Sequence, residues 1–298
     1  MYYLARAFPA ARRLRIPLSR DQVMLLMLAL NELLLGLETY LAHMISGTIV
    51  RNEWIPIIFG PIAGVLLILA GLLALKRRML ATLIATLVFL ASAAVGLLGA
   101  YFHLVRALLP TAPLGEVVSV PLLVWAPPIL GPLTFALVGL LGISAAWVEE
   151  TPDSGRLLLP RGVKLQLPYS KTRAYLFAIG MGSLATVISS VLDHARTEFT
   201  NPWLWVPTAI GVFGTVVAVV LGALKDPTRG DVLTYTAGMA LMIIVGVLGV
   251  YLHINHNLSM GAVVNERFLR GSPFLAPMLF SDLGTLGLIV LLNPTEAQ

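Results

Sequence analysis

The sequence predicts an all-α integral membrane protein: eight transmembrane helices in two parallel-repeat four-helix bundles, with both termini cytoplasmic. Three observations carry that prediction. Charge is scarce, apolar runs reach bilayer length, and one half of the chain repeats the other. Only 12% of the 298 residues are charged and 58% are hydrophobic, where an ordinary soluble domain is about 25% charged. So little charge cannot cover a water-facing surface of this size. Several apolar runs approach the ~20 residues that cross a hydrocarbon core.

The elements follow in chain order. Residues 1–20, MYYLARAFPAARRLRIPLSR, are basic and broken by proline. A secretory signal needs an apolar region directly after its basic part and a small-residue cleavage site. Here the next apolar run is a full span holding Glu32 and Glu38, so the segment reads as a retained cytoplasmic arm. Spans are expected over 22–45, 54–75, 79–104 and 121–147, forming a first repeat at 21–148. A polar linker at 149–172 leads to spans 173–195, 203–224, 232–255 and 273–292, a second repeat at 173–293. Pro127, Pro128 and Pro132 are expected to kink the fourth span.

Orientation comes from the basic residues. Of the 20 Lys and Arg, fifteen lie in the arm, the linker and the loops after the second and sixth spans. Arg51, Arg106, Arg196, Arg267 and Arg270 lie on the other side. The positive-inside bias puts both termini in the cytoplasm, and the expected location is the cytoplasmic membrane of a prokaryote. Basic residues that flank apolar runs signal orientation, so no nucleic-acid partner is expected. The bilayer is the first partner.

The repeat is read from matched residues. His43, Trp54 and Pro56 recur as His194, Trp205 and Pro207, and Gly60 and Gly71 as Gly211 and Gly222. VGLLGAYFH, ending at His103, recurs as VGVLGVYLH, ending at His253. Glu116, Ala126 and Pro127 are matched with Glu266, Ala276 and Pro277. Four spans per unit give both units the same orientation, hence an axis along the membrane normal. Gly96/Gly99 and Gly246/Gly249 would let helices approach closely.

The candidate site residues are the histidines and the acids inside spans. All five histidines, His43, His103, His194, His253 and His256, lie at the outer ends of odd-numbered spans. Three readings follow. His43, His103, His194 and His253 could ligate haem b in two pairs, since haem iron takes two imidazoles from facing helices, and the nearby glycines would leave room beside a flat macrocycle. A copper, iron or zinc ion could instead use the histidines with carboxylates such as Glu38, Asp193, Glu198, Glu116 and Glu266. His194 with Glu198, and His253 with His256, have helix-face spacing. The third reading has the histidines bonding loop backbone. The sequence holds no cysteine, which excludes disulfides, thiolate zinc sites and iron–sulfur ligation by this chain.

Glu32, Glu38 and Asp282 lie within spans. Ionised carboxylates there are costly and mark proton or ion paths, or else pair with buried polar groups. They are the candidate catalytic residues, as proton carriers or a quinol-site base. Glu32 aligns with Ser183 and Glu38 with Ser189, so the acids belong to one half. The four-plus-four arrangement is similar in architecture to membrane subunits of the polysulfide-reductase kind, which exchange electrons with quinol. The expected function is a membrane redox subunit, with haem b or a metal near the outer face and possession of a quinone site, passing electrons to other membrane or extracytoplasmic subunits. The alternative is a non-catalytic anchor in a larger complex. A solute transporter is less favoured, because the sequence shows no pair of broken helices at matching positions.

Overall fold

The computed structural model describes residues 3–13, 18–45, 47–159, 162–259 and 263–293. It is mostly helical, and six helices are long and apolar enough to cross a membrane. These are α2 (Arg20–Met44), α3 (Trp54–Ala74), α4 (Arg78–Ala107), α7 (Lys171–Ala195), α8 (Trp205–Ala223) and α9 (Arg229–Ser259). Short helices complete the order: α1 (Tyr3–Ala7), α5 (Val120–Trp125), α6 (Leu133–Ala146), α10 (Val264–Arg270) and α11 (Met278–Val290). Local chemistry starts the long helices. Ser19 and Gln22 exchange side-chain bonds with each other's backbone N–H, a capping box at the head of α2. Ser170 caps α7 through the N–H of Arg173. Leucines such as Leu69 and Leu72, more than half exposed, give the long helices the apolar exterior that a lipid solvent requires.

The fourth and eighth expected spans are corrected. Residues 121–147 do not form one kinked helix; they break between Trp125 and Leu133, leaving α6 with 14 residues. Residues 273–292 likewise begin helix only at Met278, leaving α11 with 13. At 1.5 Å per residue these reach about 20 Å, short of a ~30 Å core. Proline explains both breaks. It donates no N–H and disfavours helix at the residue before it, and Pro127, Pro128 and Pro132 crowd one break as Pro273 and Pro277 crowd the other.

Helices α2, α3, α4 and α6 pack together, as do α7, α8, α9 and α11; the groups meet where α2 touches α11 and α6 touches α7. The all-α expectation needs one amendment. The linker folds into a small antiparallel sheet of β1 (Val148–Glu149), β2 (Arg156–Leu158) and β3 (Lys164–Gln166), with Leu157 opposite Leu165. Arg156 and Lys164 both pair with Glu150 there.

A buried polar network closes the same end of the molecule. Lys171 Nζ donates to Asp21 Oδ2 at 2.5 Å and to the Trp147 carbonyl at 2.7 Å. Arg20 Nη1 donates to Thr172 Oγ1 at 2.6 Å. Each basic residue at the head of one bundle thus reaches across to the other. Lys171 is fully buried and Arg20 nearly so; ions survive burial only when paired and bonded. The arm docks here too. Tyr3, Ala5 and Ala7 are buried, α1 packs on α9, and Leu4 N–H donates to the Leu291 carbonyl at 3.0 Å. Arg15 and Arg161, counted in the orientation argument, lie outside the described residues.

Candidate functional site

At the opposite end, helices α2 and α4 bring His43 and His103 together. Their ring centroids are 6.1 Å apart and their planes 63° apart. Each ring is oriented by a carbonyl. His43 Nδ1 lies 2.8 Å from the Thr39 carbonyl and His103 Nδ1 lies 2.9 Å from that of Pro128. A carbonyl only accepts, so each Nδ1 carries its hydrogen, and in the neutral ring Nε2 keeps its lone pair. Glu53, in the 3-10 turn Arg51–Glu53, closes the group. Its Oε1 is 4.0 Å from His43 Nε2 and 3.5 Å from Arg106 Nη1, while Oε2 accepts from the Val50 N–H.

These side chains line a cavity of about 370 Å³ within the first bundle. Leu35, Val95, Leu98, Phe102 and Phe135 supply apolar wall. Glu38, Thr39, His43, Glu53, His103 and Arg106 supply the polar groups. The broken fourth helix forms one side, through Pro128, Gly131 and Pro132. Irregular backbone at membrane depth is tolerated where it is buried in protein or lines a cavity, and here it does so. The proline break therefore makes the pocket wall.

The second half repeats part of this. His253 Nδ1 donates to the Pro273 carbonyl at 2.9 Å, as His103 does to Pro128. A Cβ on Gly99 would lie 2.7 Å from Pro132 Cβ, and one on Gly249 would lie 2.6 Å from Pro277 Cβ. These contacts pair Pro128 with Pro273 and Pro132 with Pro277, replacing the sequence pairing of Pro127 with Pro277. Five residues fewer separate His253 from its proline than separate His103 from Pro128, because the intervening loop is shorter. The glycines also correct an expectation. Gly96 and Gly99 lie against Pro132 and Ala136, and Gly246 and Gly249 against Pro277 and Ser281. The space beside them holds helix backbone and proline, so they leave no room there for a macrocycle.

His194 is placed differently. Its Nδ1 is 3.4 Å from Ser190 Oγ, and its ring meets Phe199 edge-on at 6.2 Å. Phe199 in turn stacks on Trp205 at 4.3 Å. The expected His194–Glu198 helix face does not form. Helix α7 ends at Ala195, and Glu198 sits exposed in a left-handed turn with φ of 54°. Asp193 lies 3.7 Å from Arg196. His256 is exposed on α9, as is Glu116 in its loop, and Glu266 is exposed on α10. Among the described residues, no three His, Asp or Glu side chains converge as a metal-binding group.

The acids inside spans separate. Glu32 is fully buried; its Oε1 accepts from Ser92 Oγ at 2.5 Å, tying α2 to α4, and its Oε2 is buried without a hydrogen-bond partner among the described residues. Glu38 lines the cavity. Asp282 on α11 accepts from Asn31 Nδ2 of α2 at 2.9 Å, joining the bundles. Sequence reasoning missed Glu53 altogether and treated Arg106 only as surface charge. The signal for Glu53 was present: it lies directly before Trp54 in RNEWIP, inside the repeated frame. No family model matches the chain, and comparison with curated proteins and with solved structures likewise gives no match.

Proposed function

We propose that the chain is a membrane redox subunit that binds quinol in the cavity of its first bundle and passes the electrons to a redox partner docked on that face. The observation that carries the reading is the cavity itself. About 370 Å³ lies in the usual range for small-ligand sites, which are mostly apolar with few convergent polar groups. A quinol ring needs such walls and, at its hydroxyls, proton acceptors. His103 Nε2 is oriented as one, and Glu38 is the second. Oxidation releases two protons and two electrons. The protons pass to the imidazole and the carboxyl, and the electrons to a haem or iron–sulfur centre in the partner; a chain without cysteine carries no iron–sulfur cluster of its own.

The rest of the reading sets this site in the membrane. The six long helices cross, and α6 and α11 complete eight passes only together with the non-helical chain directly before them, as two parallel repeats. The bias of basic residues places both termini in the cytoplasm and the cavity at the outer face. The test uses purified full-length protein. A short-chain quinone analogue should quench its tryptophan fluorescence saturably, and metal analysis with oxidised and dithionite-reduced spectra should show no stoichiometric haem or metal. Absent quinone binding sinks the proposal; a reduced haem spectrum moves the redox centre into this chain.

One observation favours the anchor reading instead. His103 and His253 do the same backbone duty at the two helix breaks, which is a structural task. Full assembly and activity of the complex after replacing both would support an anchor.

A further inference from the structure

We propose that the seam between the two bundles carries a proton relay, in which Glu38 exchanges protons with the ligand cavity and Asp282, held by Asn31, is the next station inward. The cavities supply the geometry. Glu38 lines both the large cavity and a second of about 210 Å³ between α2 and α11. Asp282 lines that second cavity and a third of about 160 Å³ between α6, α7 and α11. Thr134 and Leu279 belong to all three walls, so the three cavities meet around these two side chains at the seam. A water takes about 30 Å³ in the liquid, so each cavity has room for several.

The carboxyls are set for use. Asp282 Oδ2 accepts from Asn31 Nδ2 at 2.9 Å, and Oδ1 is buried without a hydrogen-bond partner among the described residues. A carboxyl oxygen left unpaired against a cavity is costly unless something enters to meet it. The groups around Glu38 leave few other routes. His43 is on its own helix, Glu53 on the 3-10 turn, His103 and Arg106 on α4, and Asp282 on α11; α3 and α6 add no titratable group to the cavity walls. The hydrogen-bonded Glu32 lines none of the three cavities. In each transfer an O–H bond breaks at the donor as one forms at the acceptor. A ligand hydroxyl gives its proton to Glu38, directly or through a cavity water that takes one proton as it passes another on, and Glu38 gives one in the same way to Asp282. No electrons move along this path.

The relay's direction of use rests on the quinol reading; the coupling of the two carboxyls does not. The test is an infrared titration of the full chain in lipid nanodiscs, with the carboxylic C=O bands assigned by their loss in Glu38→Gln and Asp282→Asn. Glu38→Gln is expected to move the Asp282 midpoint by on the order of one pH unit, and Asp282→Asn to move that of Glu38 comparably, as interacting sites do. Both bands should exchange promptly in heavy water. Unmoved midpoints, or an Asp282 band closed to exchange because a lipid tail fills the second cavity, would overturn the relay. Should a carboxyl variant fail to fold, Asn31→Ala keeps both acids and must shift the Asp282 band and its midpoint. Quinone binding is measured on the same wild-type sample. Coupling without binding retires the quinol reading and keeps the relay; binding without coupling does the reverse.

Discussion

Replacing His103 and His253 by alanine, one at a time, separates ligand chemistry from structural duty. Each ring donates Nδ1–H to a proline carbonyl at 2.9 Å, one at Pro128 and one at Pro273. Both rings are half-buried. The structural loss is therefore matched: one hydrogen bond, about 0.5–1.5 kcal/mol net, partly made good by water. Only His103 lines the cavity of about 370 Å³. If the proposed quinol site is right, losing its Nε2 removes a contact to a quinol hydroxyl, and a loss near 1.4 kcal/mol corresponds to about a tenfold weaker Kd. The assay is fluorescence quenching by a quinone analogue, with thermal unfolding on the same samples. His103→Ala should raise Kd about tenfold and His253→Ala less than about twofold, with similar losses of thermal stability. Equal effects on Kd would refute the assignment, because the shared duty at the helix break would then account for everything.

Further outcomes follow from the packing and charge. Lys171→Met leaves Asp21 Oδ2 and the Trp147 carbonyl without their buried donor, while Arg20 and Tyr175 still hold Asp21 Oδ1, so it should destabilise by about 1–3 kcal/mol in denaturation. Gly249→Ala drives a Cβ to 2.6 Å from Pro277 and should lower stability by about 1–3 kcal/mol. Gly71→Ala meets nothing within 4 Å and should be neutral or raise stability by up to about 1 kcal/mol. Glu150 is held below the usual carboxylate range by hydrogen bonds from Lys164 and then Arg156. A lowered native pKa gives support that is present above the ordinary carboxylate range and fades as pH falls through the lowered value. Amide exchange across 148–166 should therefore quicken on acidification, and in Glu150→Gln it should be fast and pH-independent after correction for intrinsic exchange.

Helix placement was legible because hydropathy and charge act locally along the chain. The long helices start within a few residues of the expected spans. The fourth and eighth spans misled because an apolar run cannot say whether its prolines bend a helix or end it. Three prolines within six residues at Pro127–Pro132 remove donors from consecutive turns, and the chain found other partners for the carbonyls, among them His103 and Arg196. The match of Pro127 with Pro277 failed for a related reason. A shorter loop in the second half shifts the register, and it is the contacts of Gly96 and Gly99, matched by those of Gly246 and Gly249, that identify Pro132 and Pro277 as equivalents. The crossing of Arg20 to Thr172 and Lys171 to Asp21 also escaped the reading. A trace was present: SRD at Ser19–Asp21 and SKT at Ser170–Thr172 keep the repeat's spacing. Nothing local in either triplet says that the side chains face each other.

The site itself lies in the departures from repetition. Carrying the frame of His43 and His194 through the helix ends sets Glu38 against Ser189, Thr48 against Phe199 and Glu53 against Leu204; the frame of His103 and His253 sets Arg106 against His256. The first half thus gains two carboxyls and a guanidinium around its histidines. In the second half Phe199 lies against His194 and stacks on Trp205, so an aromatic ring occupies the neighbourhood that stays open beside His43. Both halves keep the histidine–proline bond that steadies a broken helix. That shared bond explains why His103 recurs as His253, and the unshared groups are the polar lining of the cavity in the first bundle. Phe199→Thr with Leu204→Glu and Ser189→Glu should accordingly open a second quinone-analogue site beside His194, read as a change in binding stoichiometry from one to about two. A stoichiometry that stays at one in a folded triple variant would mean that the departures accompany the site without making it.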